Sequence, residues 1–162
     1  MRRKDREITD PARIAEILNK CDCCRVGFWD GEEVYLVPMS FGWEKAGEKY
    51  TLWFHGAGEG RKAALARQCP RVSFEMDCGH GLRGAELACG FTTAYECIMG
   101  TGRLAPAETA EDKQRGLAAV MAHYAPGLFS TGQHTHSRHP APDEDTAAVL
   151  ELVDWREDAP YG

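Results

Sequence analysis

The sequence predicts a mainly β chain, folded as an antiparallel sheet or barrel with helices packed outside it. Three observations carry that expectation. Most strand-like runs follow one another through short links, as antiparallel neighbours do. Helical periodicity is confined to segments near 10–21, 60–68 and 109–125, so strands and helices do not alternate one for one as in a parallel sheet. The 162 residues suit a single domain, 1–162, with a real core, and no repeat or low-complexity domain divides them.

Each element has its own signal. In "DPARIAEILNKC" Asp10 can cap a helix, Pro11 suits its first position, and Ile14, Ile17 and Leu18 share one apolar face. "CRVGFWD" and "GEEVYLVPMSF" read as two strands joined at Asp30-Gly31, a hairpin signal. Pro38 lacks an N–H and marks an edge or a strand end. "EKAGEK" reads as a polar turn, and "YTLWFH" as the third strand. "GRKAALARQ" is a short helix stopped by Pro70, and "RVSFEMD" is the fourth strand. "CGHGLRGAELACG" reads as a loop or an excursion from the sheet. "FTTAYECIMGTGRLA" is a long fifth strand, with Gly100 and Gly102 marking a bulge or bend. Thr109 with Asp112 resembles a capping box for a second long helix, whose stripe is Leu117, Val120, Met121 and Tyr124, ending at Pro126-Gly127. "STGQHTHSRHPAPDED" is a polar loop, and "TAAVLELVDWRE" is the last strand.

Composition narrows the partners. A formal charge of -6 argues against a general nucleic-acid binder. No apolar run approaches the ~18 residues of a membrane span. The charged start "MRRKDREITD" lacks the apolar stretch of a signal peptide, so the expected location is cytoplasmic. Seven cysteines cannot all pair within one chain, and "CDCC" has neither zinc nor redox spacing. If Cys23 and Cys24 lie on a strand, they point to opposite faces. Cys78 with His80, and the loop histidines His134, His136 and His139, are the two places a metal could be imagined; neither has a full ligand set at defined spacing, and no metal is expected.

The stretch "LWFHGAGEGRKAALARQCP" carries the main functional signal. It is not a P-loop, because Gly56 and Gly60 are separated by three residues and Arg61-Lys62-Ala63 offers no hydroxyl for magnesium. Nor is it the dinucleotide fingerprint, being one residue short of G-x-G-x-x-G. Yet a strand, a glycine turn and a helix start bring free N–H groups and two cations together. Cations at a helix N-terminus oppose the macrodipole unless an anion sits there. From these residues alone a phosphate cradle and a plain glycine turn both stand open.

Three pieces resemble a known family: "VPMSFGW", "LWFHGAGEGRKAAL" and "AYECIMGTGR". Together, over roughly Arg3 to Trp155, they resemble the FMN-binding split β-barrels of the pyridoxamine 5′-phosphate oxidase-like superfamily, and within it the nitroimidazole-resistance type. The resemblance implies an antiparallel split β-barrel, with the FMN phosphate held at Gly60, Arg61 and Lys62. Gly60 stands where many relatives have a serine, so its N–H would replace a hydroxyl contact. The resemblance further implies that Pro38, Met39, Ser40 and Phe41 run beside the isoalloxazine, with Phe54 and His55 at the same site. Phe41 and Phe54 read equally as core aromatics. A homodimer is implied, with residues around Tyr95 to Cys97 facing the partner's flavin. On a strand, however, Tyr95 and Glu96 face opposite ways.

The implied function is an FMN-dependent oxidoreductase passing electrons from a reduced nicotinamide or similar donor to a small acceptor such as a nitroaromatic. His55 is the catalytic candidate, since an imidazole can donate or accept a proton near physiological pH. Vitamin B6 oxidation fits less well, because the end "VDWREDAPYG" lacks the substrate-binding pattern of those oxidases. Two alternatives stand beside this reading: a haem-binding or haem-handling split barrel with a histidine ligand, and a non-catalytic flavin-binding protein.

Overall fold

The structure is a computed structural model and describes residues 7–126 together with the backbone of 148–161. Its elements in chain order are α1 (Pro11–Lys20), β1 (Cys24–Trp29), β2 (Val34–Met39), β3 (Phe41–Ala46), β4 (Lys49–Gly56), α2 (Arg61–Gln68), β5 (Arg71–Arg83), a 3₁₀ turn (Ala88–Gly90), β6 (Thr92–Pro106), α3 (Ala110–Tyr124) and β7 (Ala148–Tyr161). The strands form one seven-stranded sheet ordered β2-β1-β5-β6-β7-β4-β3. Every pairing in it is antiparallel.

The two edge strands are β2 and β3, yet only Ser40 separates them in the chain. Two Cα steps of ~3.8 Å cannot span an open sheet of this width. The sheet therefore curls until its edges approach, without pairing along the seam. This is the split antiparallel barrel that the sequence predicts.

Local chemistry explains the elements. Asp10 Oδ1 accepts the Ala12 N–H at 3.0 Å, Pro11 opens α1, and Ile14, Ile17 and Leu18 are buried. They join Phe28, Phe41, Phe54, Met76, Ile98 and Leu104 in the main core. Strand β1 alternates buried Cys24, Val26 and Phe28 with residues facing out. Strand β4 is instead buried continuously from Tyr50 to Phe54. One face meets the main core, while Trp53 on the other packs with Ala107 and Val120 beneath α3. Glu44 clamps this second layer: its carboxylate accepts the Trp53 indole N–H at 3.0 Å and two N–H groups of Arg115 at 3.0 and 2.6 Å. Thr109 caps α3, accepting the Asp112 N–H at 3.0 Å, as the capping signal predicts. Within the predicted stripe Val120 is buried and Leu117 packs against it, whereas Met121 and Tyr124 remain exposed at 40% and 42%.

Two expectations need correction. The segment read as one strand to Phe41 followed by a polar turn is two strands: β2 ends at Met39, and Phe41–Ala46 forms β3, paired with β4 from Phe41↔Phe54 to Ala46↔Lys49. Charged Glu44 and Lys45 disguise β3: exposed Lys45 is tolerated on an edge strand, while half-buried Glu44 is held by Trp53 and Arg115. Second, β5 and β6 run on through much of "CGHGLRGAELACG", pairing as far as Arg83↔Thr92 past an irregularity between Cys78 and Gly81. Pro38 lies on an edge strand, as its missing donor requires. The irregularity expected near Gly100 and Gly102 falls in the β6–β7 pairing, between Thr101 and Arg103. The histidine-bearing loop 130–145 lies outside the described residues. Among the described residues, no helix is long and apolar enough to cross a membrane.

Candidate functional site

The candidate site is assembled from the seam of the barrel and the turn after β4. Strand β4 ends at His55-Gly56, one step past the Phe41↔Phe54 pair, and the β2–β3 link at Ser40 lies one step past the same pair. Residues 57–60 then lead into α2. Gly60 is the N-cap of α2 and has φ 97°, a conformation that disfavours any side chain with a Cβ. No side chain caps this helix, so the N–H groups of its first turn face outward without a capping acceptor. The carbonyl of Gly60 accepts from Ala64 N–H at 3.0 Å, which starts the helix.

The cations at this turn have different surroundings. The Lys62 ammonium lies against the backbone of Gly56: a Cβ placed there would sit 2.5 Å from Nζ. Among the described residues no carboxylate pairs with Lys62. Arg61 donates to Asp30 Oδ2 and, at 3.2 Å, to Glu33 Oε1. Its guanidinium also lies 4.4 Å from the centre of the Tyr35 ring. Asp30 accepts the N–H groups of Glu33 and Glu32 at 2.9 and 3.0 Å. Those two amides, with Arg61, hold the Asp30 carboxyl down at about 2. From the last turn of α2, Arg67 donates to the Gly58 carbonyl at 3.0 Å and ties down the middle of the turn.

The predicted site residues divide into two groups. Pro38, Ser40, His55, Gly60 and Arg61 are exposed and Lys62 is half-buried, around the seam and the turn. Met39, Phe41 and Phe54 are buried in the main core, so they face the seam with backbone only. The Phe41 N–H is already engaged, donating to the Tyr124 hydroxyl at 3.2 Å, and that hydroxyl donates to the Asp22 carbonyl at 2.7 Å. His123 packs against Phe41 with the rings tilted and 4.6 Å between their centres, and places Nε2 2.8 Å from the Cys21 carbonyl oxygen. Alternation along β4 places His55 on the Trp53 side of the strand, opposite Phe54.

Several partners here lack a sequence signal. Asp30 reads only as a hairpin residue, and its bond to Arg61 spans 31 positions. Arg67 reads as a solvated helical cation. On β6, Glu96 binds Arg13 of α1, while Tyr95 faces out at 41% exposure and stacks with His80. Cys97 is buried. Cys78 is buried, whereas His80 pairs with Asp77 at 2.6 Å, and no group of three potential metal ligands occurs among the described residues. Burial pushes the Cys21, Cys24 and Cys78 thiols up. A cleft of about 190 Å³ between Asn19, Trp43, Ala119, Ala122 and His123 shares no residue with the glycine turn.

Comparison with known proteins bears on the fold. Residues 10–154 match the family described as pyridoxamine 5′-phosphate oxidase. No curated protein matches the sequence. Among solved structures, the chain is similar to a candidate 5-nitroimidazole antibiotic resistance protein of Bacteroides thetaiotaomicron, with 28% identity and a TM-score of 0.71, covering 95% of this chain and 83% of that one. A flavocytochrome of Azotobacter vinelandii shares the fold at 18% identity and a TM-score of 0.69, over 100% and 74% of the two chains. An FAD- and haem-binding protein of Mycobacterium smegmatis does so at 17% identity and a TM-score of 0.68, over 96% and 71%.

Proposed function

The chain belongs to the pyridoxamine 5′-phosphate oxidase family, and from that premise we propose that it binds FMN and works as a cytoplasmic oxidoreductase of the nitroimidazole-resistance type. The observation that carries the reading is the turn between β4 and α2. An uncapped helix start, a glycine with positive φ and the Lys62 ammonium against Gly56 fit a phosphate monoester. The isoalloxazine would lie along the seam, beside Pro38 and Ser40 and the backbone of Met39 and Phe41. When bound, the flavin supplies the electron transfer, from a reduced nicotinamide or similar donor to a small acceptor such as a nitroaromatic.

His55 is the proposed proton-bearing group, because it is exposed at the end of β4 beside the turn. A homodimer belongs to the same reading. Its support is an outward apolar strip on β1 and β2, where Trp29, Val34 and Leu36 are 51%, 65% and 60% exposed. Trp29 pairs with Val34 and Leu36 with Gly27, so the strip is continuous across both strands. Such a strip marks an interaction surface.

The test is the visible spectrum of the purified protein before and after adding FMN. A two-band flavin spectrum with altered fluorescence supports the reading, and NADH or NADPH turnover then separates an enzyme from a flavin store. A Soret band, with no flavin uptake, overturns it in favour of haem, a cofactor named for the Mycobacterium smegmatis neighbour above.

A further inference from the structure

We propose that Cys21 and Cys78 are a redox pair, oxidised by a hydroperoxide to a reversible disulfide that pins the end of α1 to β5.

The pair comes from two elements that end in the same place. Cys21 is the C-cap of α1, and its N–H still donates to the Ile17 carbonyl at 3.0 Å. Cys78 stands opposite Glu96, the last pair of β5 and β6 before the irregularity that runs to Gly81. Side chains of α1 reach over that same pair: Arg13 binds Glu96, and Lys20 Nζ lies 3.8 Å from Glu96 Oε2. Cys21 and Cys78 are both free thiols, buried in the main core and hydrogen-bonded to each other.

A lone buried thiol is a small apolar group. Two in contact are different, because bonding asks them only to close from hydrogen-bond contact to the ~2.05 Å of a disulfide. Neither end is locked. Cys21 has already left the helix for extended backbone, with ψ 129°. Just past Cys78, Gly79 takes φ 69° and the ladder is irregular, so β5 yields there without losing a regular register. The carbonyls of Cys21 and Asp22 meet His123 and Tyr124 of α3, so the bond would join α1, β5 and α3 at one point.

The two thiols are not equivalent. Burial pushes both up. At Cys78 the Cys21 S–H, Lys20 and Arg13 oppose that rise, against a smaller push from Glu96 than from burial. At Cys21 the Cys78 sulfur, Asp77 and Glu75 all add to it. Cys78 therefore ionises first and is the attacking sulfur. Its thiolate attacks one oxygen of hydrogen peroxide: the S–O bond forms, the O–O bond breaks, and the departing hydroxide takes the thiol proton and leaves as water. The Cys21 sulfur then attacks the sulfenic sulfur. The S–S bond forms, the S–O bond breaks, and the Cys21 proton leaves with that oxygen as a second water. Two thiols lose two electrons and the peroxide gains them.

The test treats the unmutated protein and Cys89→Ser, which lacks the exposed thiol, with hydrogen peroxide. Remaining thiols are alkylated in denaturant, and the unreduced digest is read by mass spectrometry. In Cys89→Ser the free-thiol count is expected to fall by two, with a peptide joining Cys21 to Cys78, and dithiothreitol is expected to restore both thiols. The bond closes a long loop, so oxidation is expected to raise the melting temperature by about 5 °C or more. Cys78→Ser and Cys21→Ser should each abolish the cross-link and the shift, and Cys23→Ser should keep both; should Cys21→Ser not fold, Cys78→Ser carries the same expectation. Oxidation of Cys89 in the unmutated protein shows that the peroxide was active. With that control positive, intact Cys21 and Cys78 thiols, a sulfinic acid on Cys78 without a cross-link, or a cross-link that joins either cysteine to a different one overturns the pair.

Discussion

Gly42 belongs to the "VPMSFGW" segment and lies where α3 crosses β3. A Cβ added there would meet Ala119 C and Val120 N at 2.3 Å and Ala119 O at 2.5 Å. All three are backbone atoms, so no rotamer change relieves the clash, and α3 must move away by about 1 Å to restore carbon contacts of ~3.5 Å. That movement would loosen the Trp53–Ala107–Val120 layer. Overpacking of this kind costs about 1–3 kcal/mol, and a rigid backbone obstacle argues for the upper half of that range. The smaller entropy of the unfolded alanine chain returns about 0.4–1 kcal/mol. A net loss near 2 kcal/mol corresponds to about 4–8 °C in melting temperature for a chain of this size. Gly42→Ala is therefore expected to melt that much lower by circular dichroism. It is also expected to weaken flavin uptake, because α3 carries Tyr124 and His123, which hold Phe41 at the seam. Gly81→Ala is the control, since its Cβ would meet nothing within 4 Å. If Gly42→Ala melts as high as Gly81→Ala, α3 does not rest on β3 as described, and the account of the seam is wrong.

Other expectations follow from single contacts. Asp30 has its carboxyl held below the ordinary value, by the Glu33 and Glu32 amides and by Arg61. A lowered folded-state value stabilises above the unfolded one, near 3.9, and is lost as pH falls through about 2. The acid limb of the unfolding curve between about pH 5 and pH 2 should be shallower in Asp30→Asn; an unchanged limb would count against the pairing of Asp30 with Arg61 and the hairpin amides. Glu44→Ala should cost about 1–3 kcal/mol and alter Trp53 fluorescence, because it strips the acceptor from a buried indole N–H. Urea titration giving a cost under about 0.5 kcal/mol would count against the clamp. With a thiol reagent near neutral pH, exposed Cys89 should react fastest, while buried Cys21 and Cys24, their thiols pushed up by burial, should react last. A fast phase that survives in Cys89→Ser would contradict this order.

The legible parts of the fold were those with local signatures. Asp10-Pro11, the Asp30-Gly31 hairpin and Thr109 with Asp112 each announce an element because the cap or turn is made by residues a few positions apart. Strand β3 has no such signature. Its partner β4 supplies the ordering, so "FGWEKA" is a strand only because "KYTLWF" lies beside it. The same holds for the far arms of β5 and β6, which are exposed apart from half-buried Ala94 and held as strands by each other. The burial of Phe41 and Phe54 also depends on tertiary placement, since alternation places an aromatic on one face without saying which face is inside.

The candidate site shows the same limit at finer scale. "GEGRK" places two cations side by side, and nothing in the string distinguishes them. What separates them is a hairpin some 30 positions earlier in the chain, whose Asp30 and Glu33 reach Arg61 and not Lys62. Neighbours along a helix point about 100° apart, so one of two adjacent residues can face a hairpin while the other faces a turn. The two charges are alike in the sequence, and only the fold says which of them a described carboxylate holds. A chain with the same "GEGRK" and a neutral β1–β2 hairpin would leave Arg61 without these two carboxylate partners, and its two cations would be as alike in the fold as they are in the sequence.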